Sequence, residues 1–103
     1  MKENVYLITD GLFFKIGKTR KDVEKRLKEL QTGNSSNLQL IDSIKVKNAS
    51  KVESIMHRMY KHRQQINEWF DLIIDDVKKF KENCLMIDNN IELLNENKDN
   101  YLI

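Results

Sequence analysis

The chain has no proline, one cysteine, three glycines and one tryptophan among its 103 residues. The lone Cys84 excludes an internal disulfide and a thiolate zinc cluster. No apolar run approaches the ~20 residues of a membrane-spanning helix. A charged fraction of 33% points the same way. Met1-Lys2-Glu3-Asn4 leads into only four apolar residues, Val5-Tyr6-Leu7-Ile8, too few for a signal peptide. The expectation is a cytoplasmic protein with no membrane partner. No repeat and no linker divides the chain, so its length predicts one domain with one core.

What is present is an uneven distribution of charge. Residues 1–67 hold 14 Lys or Arg against 7 Asp or Glu, a net +7, whereas residues 68–103 hold 4 against 9, a net −5. A basic first two thirds suits a polyanion, and nucleic acid is the usual one. The same lysines would also serve simply to keep a small domain soluble.

The pattern along the chain predicts alternating elements. Residues 5–9 are apolar and β-branched, Asp10-Gly11 signals a tight turn, and residues 12–16 return as a second strand. Val23, Leu27 and Leu30 recur at helical spacing over 22–30, and Gly33 follows as a terminator. Residues 38–47 read as a third strand. Asn48 or Ser50 caps a helix carrying Val52, Ile55, Met56 and Met59 that runs to about residue 63. Trp69, Ile73, Val77 and Phe80 predict a third helix over 68–84, with Glu68 at its start. The expected fold is α+β, a small three-stranded antiparallel sheet flanked by helices in the order β-β-α-β-α-α. Residues 1–87 form the domain. Residues 88–103 form an acidic, Asn-rich tail, with Ile91, Leu94 and Leu102 placed to dock part of it as a helix.

Few groupings suggest chemistry. Gly17-Lys18-Thr19 is not a phosphate-binding loop, because position 12 is Leu12 where that motif needs glycine. His57 and His62 stand five apart, about 140° around a helix, so one metal ion does not readily take both. Glu53 and His57 share a helical face, where the plain alternative is a surface pair. Glu53 borders the apolar seam, where a carboxylate is either paired or holds a hard cation. Tyr6 points to the sheet face opposite Val5 and Leu7, toward surface or a cleft. Arg26 has Asp22 one turn away as an ordinary partner. Glu68-Trp69-Phe70 reads mainly as structural.

In combination these residues resemble the GIY-YIG endonuclease superfamily over roughly 4–72. Asn4-Val5-Tyr6 and Lys15-Ile16-Gly17 stand for its two motifs. Arg26 follows the second at nine residues, and Glu53 lies in the helix after the third strand. The closer likeness is to the branch with Lys-Ile-Gly, found in phage, viral, bacterial and fungal proteins and usually described as DNA-binding. Leu30-Gln31-Thr32-Gly33-Asn34, His57-Arg58 and Glu68-Trp69-Phe70 add to it.

The resemblance implies hydrolysis of DNA phosphodiester bonds with one Mg2+ (or Mn2+). Glu53 would bind the metal, Tyr6 would act as base and Arg26 as phosphate clamp. Lys15 would stand in place of the second family tyrosine, with His57 in place of a missing histidine. Lys18, Arg20 and Lys21 would bind flanking phosphates. Asn4 departs from the family glycine, Lys15 from its tyrosine, and Leu30 from a proton-relay position. The alternative is a DNA-binding or partner-binding module on the same fold with little or no turnover. Tyr6, Arg26 and Glu53 favour the enzyme, whereas Lys15 and Leu30 favour the binder. A nuclease of this size often needs a partner or a homodimer to cut both strands.

Overall fold

Asp10 and Gly11 reverse the chain between β1 (Glu3–Thr9) and β2 (Phe14–Thr19) in the computed structural model, which describes residues 2–96. The Asp10 carboxylate accepts the N–H groups of Leu12 and Phe13 at 2.9 and 2.8 Å. Thr9 Oγ1 donates to the Phe13 carbonyl at 2.8 Å. Gly11 sits at φ 103°, a conformation that strains any side chain. Leu12, expected in the strand, belongs to this turn and is 76% exposed.

The chain continues as α1 (Val23–Thr32), β3 (Gln39–Val46), α2 (Ala49–Met59), a 3-10 turn (Lys61–Arg63), β4 (Trp69–Phe70), α3 (Ile74–Lys78) and α4 (Phe80–Glu96). The sheet order is β3-β1-β2-β4, and every pairing is antiparallel. The α+β class is as expected, but the sheet has four strands rather than three, and no helix spans 68–84. Trp69, Ile73, Val77 and Phe80 repeat at helical spacing, yet they fall on β4, the residue before α3, α3 and α4. Asn67 at φ 52° breaks any helix there. The Trp69 N–H bonds to the Ile66 carbonyl and the Gln65 N–H to the Trp69 carbonyl, both at 2.9 Å, folding a tight turn that delivers Phe70 opposite Phe14.

As an interior strand, β1 is covered on both faces, which explains its unbroken apolar run. Val5 and Leu7 join Val52, Met56, Phe80, Cys84 and Ile87 on the side of α2 and α4. Tyr6 and Ile8 join Val23 and Leu38 on the other side, where Leu27 and Leu30 of α1 pack. Each large side chain so buried stabilises the fold by roughly 1.5–3 kcal/mol. Cys84 is wholly buried, and that burial pushes its thiol up to about 12, so it is no nucleophile near neutral pH.

Helix α4 runs unbroken through residues 87 and 88, and Asp88 pins it to the β3–α2 junction. Its carboxylate accepts the N–H groups of Lys47 and Asn48 at 3.1 and 2.8 Å and the Asn48 side-chain amide at 2.9 Å. Asn48 is the N-cap of α2 by position, but its side chain serves Asp88 instead of the helix. Ile91 packs on the core, Leu94 is 59% exposed, and Leu102 lies outside the described residues. Among the described residues no helix is long and apolar enough to cross a membrane.

Candidate functional site

Strand β2 carries the site at Ile16 and Gly17. Gly17 lies opposite Tyr6 in the register of β1 and β2. A Cβ at position 17 would sit 2.3 Å from the Tyr6 hydroxyl, so only glycine lets the phenol lie across the strand there. Tyr6 is on the face opposite Val5 and Leu7, as its strand position requires. It is not at the surface, however: α1 covers it, and it is 1% exposed.

Arg26 reaches the same hydroxyl from α1, its Nε donating to Tyr6 Oη at 3.5 Å. That bond is the main cause holding the guanidinium above its ordinary value. The side-chain partner of Arg26 on its own helix is Glu29, at 3.4 Å, rather than Asp22, which receives only the Arg26 backbone N–H.

The opposite side of β2 gathers three more groups. His57 Nε2 lies 2.7 Å from the Ile16 carbonyl. A carbonyl only accepts, so Nε2 carries the proton and the Nδ1 lone pair is left for a base or ligand role. The Phe70 ring, 5.1 Å away centre to centre, supports the imidazole. Glu53 lies one turn earlier on α2. The Ile16 N–H donates to the Glu68 backbone carbonyl at 3.2 Å, which fixes Glu68 beside the same residue. Glu53, His57 and Glu68 each offer a ligand atom, and these atoms lie within 4.8 Å of one another. Burial first, then the neighbouring Glu68 carboxylate, push Glu53 above the ordinary carboxylate range, against the opposing pull of His57, Lys18 and Lys15.

Glu68 does not start a helix, and sequence reasoning missed its place in this set. No local signal could have found it, because the pairing of Trp69 and Phe70 with β2 is what brings it there. Lys15, in place of the second family tyrosine, has its Nζ bonded to Glu68 Oε2 at 2.6 Å and 5.9 Å from the centre of the Trp69 ring. Arg26 takes the place next to the phenol. Of the three basic residues expected to meet phosphates, Arg20 pairs with Glu3 at 3.1 Å and Lys21 with Glu29 at 2.5 Å. Lys18 is exposed and makes no ion pair among the described residues.

The profile of the T5orf172 domain matches residues 3–85. The chain belongs to the T5orf172 domain family. That family is phage-associated and stands in the context of GIY-YIG and HNH-like nucleases. No curated protein and no solved structure matches the chain. The matched segment runs from β1 into α4 and includes every residue of the site around Ile16 and Gly17.

Proposed function

We propose that this T5orf172 domain is a metal-dependent DNA endonuclease of GIY-YIG type, hydrolysing phosphodiester bonds. One observation carries this reading. The Tyr6–Arg26 pair and the Glu53–His57–Glu68 set approach β2 at adjacent residues, Gly17 and Ile16, from its two sides.

The donor set fits a divalent cation. Two carboxylates and an imidazole lie close together, and burial first, then the neighbouring Glu68 carboxylate, raise the Glu53 value, which a bound cation would relieve. Held by Glu53 with His57 and Glu68, Mg2+ or Mn2+ would neutralise charge developing on the leaving oxygen. Arg26 binds a non-bridging phosphate oxygen, keeping its Nε on Tyr6. The Tyr6 hydroxyl, with Arg26 Nε on its oxygen, is the group we assign to take a proton from the attacking water. Lys15 balances Glu68 and presents its ammonium to the phosphate. Lys18, Arg20 and Lys21 bind flanking phosphates on the basic part of the chain. With one such set among the described residues, a double-strand break takes a second copy or two successive nicks.

A second reading is a DNA-binding module without turnover. It is favoured by the 2.6 Å Lys15–Glu68 bond, which engages one of the three metal donors with a cation of the chain itself. Supercoiled plasmid incubated with Mg2+ or Mn2+, and with EDTA as control, separates the two. Nicking that appears only with the metal supports the enzyme. Retardation of the plasmid without nicking under any of these conditions supports the binder.

A further inference from the structure

A cavity of about 380 Å³ opens beside β4, lined by Asp10, Phe13, Asn34, Gln65, Ile66 and Trp69. That volume is at the small end of the roughly 300–1,000 Å³ typical of small-molecule sites. Its walls come from the β1–β2 turn, the loop after α1 and the segment that turns into β4. Two aromatic rings, Phe13 and Trp69, form its apolar lining, with Ile66, 68% exposed, at the rim.

Its polar groups are underused. The Gln65 side-chain amide and the Trp69 indole N–H have no hydrogen-bond partner among the described residues. Asn34 Oδ1 accepts the Ser36 N–H at 2.8 Å, which leaves the Asn34 amide hydrogens available. One Asp10 oxygen accepts two backbone N–H groups, which leaves the other to accept from a ligand. Flat apolar walls with amide donors and acceptors at the rim suit a nucleobase, whose faces stack and whose edge both donates and accepts. Asp10 is the one charged side chain in the lining, so a phosphate group is repelled from the cavity itself. A cation stands over the Trp69 ring instead: Lys15 Nζ, 5.9 Å from the ring centre and outside the lining, is also bonded to Glu68 of the candidate metal set.

We infer that this cavity seats one unpaired nucleobase, with the phosphate of the same strand held at the Lys15 side. The inference rests on the nucleic-acid reading above and sharpens it. A base inside a duplex cannot enter such a cavity, so the substrate class is single-stranded or locally unpaired DNA. Trp69 and Glu68 are adjacent in the chain, so the stacked base would set the register of the strand against the metal donors.

Trp69 is the single tryptophan of the chain, so its fluorescence reports on the cavity directly. The wild-type protein in EDTA is titrated with a deoxycytidine hexamer and with the same hexamer carrying abasic sites in place of every base. Tryptophan emission and, with labelled oligomers in separate samples, anisotropy are recorded. The expected result is quenching by the deoxycytidine hexamer only, with affinity about tenfold above that of the abasic one. Phe13→Leu and Gln65→Ala, both outside the candidate metal set, should each shrink that preference and leave abasic binding unchanged. Equal binding of the two hexamers without quenching, or binding of duplex but neither hexamer, overturns the base seat and leaves the DNA reading standing. Failure of hexamers and duplex alike to bind overturns both.

Discussion

Asp88 on α4 and Glu53 on α2 are acids on two helices that pack against the sheet, and their surroundings treat them in opposite ways. Burial raises the Asp88 value, but the N–H groups of Lys47 and Asn48 and the Asn48 amide outweigh it, and the carboxyl is held below its ordinary range. Glu53 accepts no hydrogen bond among the described residues, faces a second carboxylate and is pushed up. The first charge is fully served by the fold, and removing it weakens the fold. The second is left unserved at a cost in stability, as expected of a group kept for a ligand.

The largest effect should come from Glu53→Gln. Glutamine keeps the volume and binds a divalent cation poorly. Loss of metal-derived stabilisation worth several kcal/mol corresponds to a fall in plasmid nicking of roughly three orders of magnitude. In EDTA at neutral pH the variant should be at least as stable to urea as wild type, because an uncompensated carboxylate is gone. Nicking at the wild-type rate would remove Glu53 from the chemistry. A large loss of stability would show that Glu53 is structural like Asp88.

Tyr6→Phe should follow closely. If the phenol is the base, nicking falls by about two to four orders of magnitude. The ring packing survives, and losing the 3.5 Å bond to Arg26 should cost about 1 kcal/mol or less. DNA affinity in EDTA should hardly change. Nicking within a few-fold of wild type would sink the tyrosine as base while leaving the nuclease assignment in place.

These two residues also mark how far the sequence was legible. Strand alternation and helical periodicity assigned Tyr6, Arg26 and Glu53 their faces, and the resemblance to the GIY-YIG pattern, not spacing alone, singled them out. The burial of Tyr6 was not legible, since the covering of its face by α1 is a tertiary event. Strand β4 was hidden because Trp69, Ile73, Val77 and Phe80 imitate a helical stripe, and the break at Asn67 comes from a non-glycine residue at positive φ. Glu68 went with it: assigned to a helix start, it could not be seen as a neighbour of Glu53, fifteen positions earlier. Long-range pairing with β2 put it there, and no local pattern encodes that pairing.

Asp88→Asn is the counterpart of the first substitution and should give the reverse outcome. The charge-assisted bonds from Lys47 and Asn48 weaken, costing about 1.5–3 kcal/mol of stability, with nicking per folded molecule unchanged. The pH dependence has a defined sign. The folded value of Asp88 lies below the unfolded one, so the stability it contributes is complete at neutral pH. It is lost as pH falls through about 4 toward the folded value. Urea midpoints of wild type and Asp88→Asn should therefore differ most at neutral pH and converge in acid. A constant difference across that range would mean that the lost bonds do not depend on the Asp88 charge.

The smallest effect concerns the cations around Glu53. Lys18 is among the charges that pull its value down, yet it is exposed and in no ion pair among the described residues. If Lys18 served Glu53 as the Asn48 donors serve Asp88, it would be committed to the protein. If it is kept for phosphate, its loss should appear in the salt dependence of DNA binding. One phosphate contact removed lowers the slope of log K against log salt by about 0.9 for duplex and about 0.7 for single strands. Lys18→Gln should therefore reduce the slope by nearly one, measured in EDTA between 50 and 200 mM salt on the order of those in such titrations. Adding Arg20→Gln and Lys21→Gln should bring the total reduction toward three. It would fall short if Glu3 and Glu29 hold their partners back from DNA, since those exposed pairs are weak but compete with phosphate. A slope unchanged by all three substitutions would place the DNA path away from the end of β2, and Lys18 would then belong with the groups that only balance charge inside the protein.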